Sequence, residues 1–193
     1  MQRRTVQKRL AEIANYLDVS RARLLDSAKR LHPSFAEIRP QTGSWSVAEI
    51  LTHLAMVEGW VAKLISRSAL LGKEQGVGPE TSEESVLSSL DRFSITKPII
   101  PVMTSERGIP PRDSSTNQAL VSLEASRRAL RDALRDADGM NLAALSRPHP
   151  ILGDLNLYQW ALFVGQHDER HTRQIERALR DLREGAAESA PIL

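Results

Sequence analysis

Four stretches of the chain repeat apolar residues at intervals of three, four and seven, the spacing that lays one apolar stripe along an α-helix. The first runs from about Thr5 to Leu31, with Val6, Leu10, Ile13, Leu17, Leu24 and Leu25 in register. It stops at His32-Pro33, because the residue before a proline is pushed out of helical geometry. The second opens at Ser46, where Ser46-Val47-Ala48-Glu49 reads as a capping box that satisfies backbone donors at a helix start. It carries Ile50, Leu54, Val57, Val61, Leu64 and Ile65 before fading near Gly72. The third, about Ser115 to Ala137, sets Leu120, Leu123, Leu130 and Leu134 on one side and Arg127, Arg128, Arg131 and Arg135 elsewhere, with Gly139 as its stop. The fourth follows Gly153-Asp154 and runs from about Leu157 to Arg183.

No stretch alternates with the two-residue period of a strand, and no internal repeat is present. The pattern predicts an all-α protein, a four-helix bundle with one long crossover between its second and third helices. That crossover, Gly72 to Asp113, is rich in Pro and Gly, with one short helix expected over Ser82 to Phe93. A loop of this length usually has work to do, here covering one end of the bundle. Residues 1–184 form the single expected domain and 185–193 a loose tail.

Composition narrows the chemistry. The 193 residues are 41% apolar and 26% charged, ordinary for a soluble globular chain, and 26 basic against 24 acidic residues leave a net charge of only +2. That balance argues against nucleic acid as a partner. No apolar run is long enough to span a bilayer and the N-terminus lacks a secretory core, so a cytoplasmic protein is expected. There is no cysteine. Disulfides, thiolate zinc sites, iron–sulfur clusters and a cysteine nucleophile are thereby excluded, and any nucleophilic sulfur has to arrive with a substrate.

Two of the five histidines, His167 and His171, stand at i and i+4, so their rings leave one helix face a turn apart. Their stripe is otherwise apolar: Leu157, Trp160, Val164, His167, His171, Ile175, Ala178 and Leu182. The same stepping on the second helix gives Ile50, His53, Val57, Trp60 and Leu64, which turns His53 inward too. Three buried neutral imidazoles leave ring nitrogens without partners, at a cost of about 1–3 kcal/mol each, unless a cation takes them. Three nitrogen ligands with a fourth position open is a common catalytic zinc arrangement. Against this stands the plainer reading, in which each histidine is a hydrogen-bonded core residue. The run His167-Asp168-Glu169-Arg170-His171 departs from the zinc-protease pattern, since Asp168 stands where a general-base Glu belongs and no third histidine follows.

The remaining candidates read mainly as structure. Trp45 packs over the start of the second helix or lines a pocket there. His149, before Pro150, has a turn role in preference to a ligand role. Arg170, Arg173, Arg177 and Arg180 form a solvated stripe, with Glu169–Arg173 and Glu176–Arg180 pairs at i and i+4. Asp168 and Glu169, next to the histidines, are the candidates to orient an imidazole from behind.

Trp45-Ser46-Val47-Ala48-Glu49-Ile50-Leu51-Thr52-His53-Leu54-Ala55, then His149-Pro150-Ile151-Leu152-Gly153 leading to Trp160 and His167-Asp168-Glu169-Arg170-His171-Thr172-Arg173-Gln174-Ile175, resembles the DinB-like superfamily over nearly the whole chain. That superfamily includes YfiT-type proteins and bacillithiol- or mycothiol-dependent transferases. The resemblance implies a four-helix bundle with His53, His167 and His171 as ligands of a divalent metal, zinc or nickel first, then iron or manganese. It also implies a metal-dependent, thiol-using S-transferase, with a small-molecule thiol and an electrophile as its partners. A metal-dependent hydrolase and a non-catalytic, stress-related metal-binding bundle are the alternatives. The pattern also allows two bundles to pair as a homodimer through an apolar face.

Overall fold

A computed structural model describes residues 6–31, 33–40, 44–96 and 108–188. His32, most of the later part of the crossover and the last five residues lie outside the described set. The helices are α1 (Lys8–Lys29), α2 (Pro33–Ala36), α3 (Val47–Glu74), α4 (Thr116–Asp136) and α5 (Leu157–Glu188). Short 3-10 turns cover Leu87–Phe93 and Leu142–Ala144. Among the described residues, no helix is long and apolar enough to cross a membrane.

The four long helices stand where the apolar periodicity puts them. α1 buries Leu10, Ile13, Leu17 and Leu24 at helical intervals. α3 begins with the expected capping box: the Ser46 hydroxyl accepts from the Glu49 N–H, and the Glu49 carboxylate accepts from the Ser46 N–H. Cross-helix contacts set the directions. Gln7 bonds Tyr158 near the starts of α1 and α5, and Ser27 bonds Glu176 further along both, so these two helices run parallel. Ser126 meets Glu58, and Asp136 meets Lys73, so α3 and α4 are parallel as well. His53 faces His167 while Trp60 faces Trp160, which makes α3 and α5 antiparallel.

Parallel α3 and α4 explain the long crossover, because the chain leaving α3 must travel back along a helix of 28 residues, about 42 Å, before α4 can begin. Its first part does cap one end of the bundle. Backbone bonds join Glu80 to Gly139 and Asn141 to Gly78, and Arg9 grips Glu80 and Ser82. The expected helix over Ser82 to Phe93 is realised only as the 3-10 turn Leu87–Phe93, which buries Leu90. The crossover reappears at the opposite end, where the Gly108 carbonyl reaches His53.

Three expectations need correction. A short antiparallel hairpin, β1 (Ser146–His149) with β2 (Gly153–Asn156), precedes α5; four-residue strands are too brief for a visible alternation. α5 continues to Glu188, past the helix end expected near Arg183. Arg127, set apart with the other arginines from the leucine side of its helix, is buried.

Arg127 belongs to a charged layer that divides the apolar interior in two. On one side, Leu10, Ile13, Leu17, Val61, Leu130, Trp160 and Val164 cluster with the crossover; on the other, Leu24, Ile50, Leu51, Leu54, Leu123 and Ile175 do so. Between them each long helix supplies one residue: Arg21, Glu58, Arg127 and Asp168. Arg21 donates to Asp168 at 2.9 and 3.3 Å and to Glu58 at 2.9 Å. Arg127 donates to Glu58 at 2.6 Å and to Asp168 at 3.0 Å. Two cations and two anions cancel, and the fork geometry of the guanidiniums satisfies the carboxylate oxygens.

Candidate metal centre

His53 lies two turns into α3, downstream of the capping box that fixes where the helix starts. His167 and His171 come from the middle of α5. Antiparallel packing of these helices brings the three rings together, with centroids 5.0 Å apart for His53 to each of the others and 4.6 Å for His167 to His171. One ligand atom from each, taken together, lies within 4.8 Å of the other two. His53 and His171 are buried and His167 nearly so.

The contacts behind the rings decide which nitrogens are available. His53 donates from Nδ1 to the Gly108 carbonyl at 2.6 Å. His171 donates from Nδ1 to Gln174 Oε1 at 2.8 Å. A neutral imidazole has one N–H, so both Nε2 atoms carry lone pairs. Both point at His167 Nε2, at 3.3 and 3.1 Å. A proton on that nitrogen would satisfy one facing lone pair and leave the other opposed. A single cation satisfies all three. Two nitrogens each about 2.0–2.1 Å from a tetrahedral ion stand about 3.3 Å apart, close to the spacings seen. Ring N–H groups held by a carbonyl and an amide oxygen are also the usual support for metal-ligating imidazoles.

Burial keeps the rings neutral. It pushes His171 down to about 3, with His53 adding to the effect, and it holds His53 below its ordinary value against the Gly108 bond. His167 is driven well below its usual range by burial, then by its two histidine neighbours. Aromatic rings flank the group: Trp45 lies 4.9 Å from His53 and 6.5 Å from His171, and Phe163 stacks on His167 at 5.2 Å. Trp45 therefore both packs on the α3 start and borders the cluster.

The other candidate residues are placed as follows. Asp168 does not face an imidazole; it points the other way into the charged layer, where burial raises its pKa against the pull of Arg21 and Arg127. Glu169 adds to burial in raising the pKa of the Tyr16 hydroxyl and lies 3.8 Å from Arg23. The imidazole-orienting groups are instead Gln174 and the Gly108 carbonyl. Gln174, one turn beyond His171, was open to detection from spacing, whereas a backbone carbonyl from a distant loop leaves no mark in a sequence. His149 has the turn role expected of it, its Nδ1 accepting from Ile151 and Leu152. Trp60, expected inward, is 48% exposed. Within the arginine stripe, Arg170 and Arg173 bond the Ile95 and Thr96 carbonyls, and Glu176 accepts from Ser27.

Comparison with known proteins agrees with this architecture. The family model of the DinB superfamily matches residues 16–175. The uncharacterized protein YuaE of Bacillus subtilis (strain 168) is 24% identical over 145 residues, covering 72% of this chain and 79% of YuaE. The crystal structure of TT2238, a four-helix bundle protein, superposes with a TM-score of 0.58 at 20% identity, covering 87% of this chain and 98% of that one. At that identity the likeness speaks for the fold.

Proposed function

The chain belongs to the DinB superfamily, and from that premise we propose that it is a divalent-metal-dependent enzyme that transfers a small-molecule thiol to an electrophile, with His53, His167 and His171 as the metal ligands. The observation that carries this reading is the convergence of three Nε2 atoms, two of them fixed as lone-pair donors by Gly108 and Gln174. An all-imidazole set suits zinc, nickel, iron or copper, and it lacks the carboxylates that suit manganese. A cation held there supplies Lewis acidity, lowering the pKa of a thiol or water that reaches it.

The chain's own part is to hold and insulate. Gly108 and Gln174 fix the tautomers and ring planes of His53 and His171. Trp45 and Phe163 flank the rings with apolar surface, which limits water and strengthens local electrostatics. The charged layer locks α5 against the other three long helices. The absence of cysteine makes an incoming thiol the source of any sulfur nucleophile, which favours transfer over a self-contained covalent mechanism.

Elemental analysis of purified wild type beside His53→Ala and His171→Ala tests the ligand set, with about one ion per chain expected only in the wild type. Loss of an electrophile, followed with and without a panel of small thiols, tests the reaction. Metal-dependent loss only when thiol is present is the expected result. Equal loss without thiol would replace transfer by hydrolysis. No turnover, together with unfolding on chelation, would leave a structural metal bundle.

A further inference from the structure

A run of contacting rings leads from the histidine cluster to the surface. Phe163, one turn before His167 on α5, lies within 17° of parallel to that imidazole. His149 meets Phe163 at 4.8 Å and Trp160 at 5.0 Å, and Trp60 of α3 closes the run 5.3 Å from Trp160. Trp160 is fully buried and Phe163 nearly so, whereas Trp60, two turns after His53, leaves 48% of its surface open. Folding makes no use of that exposed half of a large aromatic side chain.

His149 adds a polar element of defined direction. Its Nδ1 accepts N–H bonds from both Ile151 and Leu152 at 3.2 Å, so that atom carries no proton. The ring proton is therefore on Nε2, the side of the ring away from the turn. Among the described residues Nε2 makes no hydrogen bond. The hairpin turn thus presents a neutral N–H donor from a half-buried ring seated between Phe163 and Trp160. None of the four side chains is charged.

We propose that the exposed face of Trp60 and the half-buried edge of His149, backed by the buried rings of Trp160 and Phe163, seat the second substrate of the metal centre: a flat, uncharged, apolar electrophile whose carbonyl or nitro oxygen accepts from His149 Nε2–H. The word electrophile rests on the transfer reaction proposed above; the binding surface does not need the metal. Aromatic stacking favours a flat body, and a single donor with no cation favours a neutral acceptor over a carboxylate.

Two unreactive probes separate these features: 2-acetylnaphthalene, which has the acceptor, and 2-ethylnaphthalene, which does not. Their affinities are read from quenching of tryptophan fluorescence, or calorimetrically for the tryptophan variant, on wild type, Trp60→Ala, His149→Asp and His53→Ala. The wild type is expected to bind the ketone about three- to tenfold more tightly than the hydrocarbon. His149→Asp preserves an acceptor for the turn, carries no N–H donor and should abolish that preference, while Trp60→Ala should weaken both probes several-fold. His53→Ala should bind both as the wild type does, even with its metal lost. Failure of either probe to bind wild type, binding indifferent to Trp60→Ala, or a ketone preference that survives His149→Asp would overturn the proposal. Metal content, measured separately, would still stand or fall by itself.

Discussion

Gln174 and Asp168 lie within two turns of each other on α5 and serve different ends, so their variants should separate. Gln174 accepts the His171 N–H, and Gln174→Ala should lower metal affinity roughly 10–100-fold while hardly moving the melting temperature, as measured by competition with a chelator and by thermal melts. Asp168 satisfies two buried guanidiniums. Asp168→Ala strands them and should cost about 3–5 kcal/mol, roughly 6–20 °C in melting temperature for a chain of this size. An unchanged melt would show that the charged layer holds nothing together. Sequence reading found the three histidines because their polarity breaks an apolar stripe. It offered Asp168 as an imidazole-orienting group and did not find its pairing with Arg21 and Arg127, since a buried arginine and a solvated one look alike until a carboxylate from another helix is seen opposite.

At the scale of elements, the pairing of α1 with α5 depends on Gly165. A β-carbon built there would lie 2.5 Å from the Tyr16 ring, so the two parallel helices approach over a bare backbone. Gly165→Ala should force them apart at a cost of about 1–3 kcal/mol, and it should weaken metal binding as well, because α5 carries two of the three imidazoles. Denaturant unfolding and chelator competition on the same variant check both effects; loss of stability without loss of affinity would place the strain away from the cluster. The helices themselves were legible to within a few residues, with the Ser46–Glu49 capping box marking the start of α3 to the residue. The β1–β2 hairpin was not, because pairing across a tight turn stabilises strands too short to show a period.

The whole molecule links the site to stability. A cation that binds only the folded bundle at a hundred times its dissociation constant adds about 2.7 kcal/mol, so chelation should lower the melting temperature by roughly 5–10 °C. The metal-free protein should also be acid-sensitive. His171 and His149 are pushed down to about 3 and about 4 by burial, whereas the unfolded chain takes up those protons near pH 6.5. Below about pH 6.5 the unfolded state binds more protons, so stability falls as pH falls toward 3. Melts of the metal-free wild type between pH 7.5 and 4.5 should show this decline, with a shallower slope in His149→Asn; a flat wild-type profile would contradict it. Periodicity by itself determined four amphipathic helices, the inward side of His53, His167 and His171, and the length of the crossover, because each follows from local spacing along one helix or from where the helical pattern lapses. Helix direction, the meeting of the three rings, the groups behind them and the charged layer were decided only by tertiary packing, since each depends on contacts between residues far apart in the chain, and spacing along one helix carries no information about its neighbour.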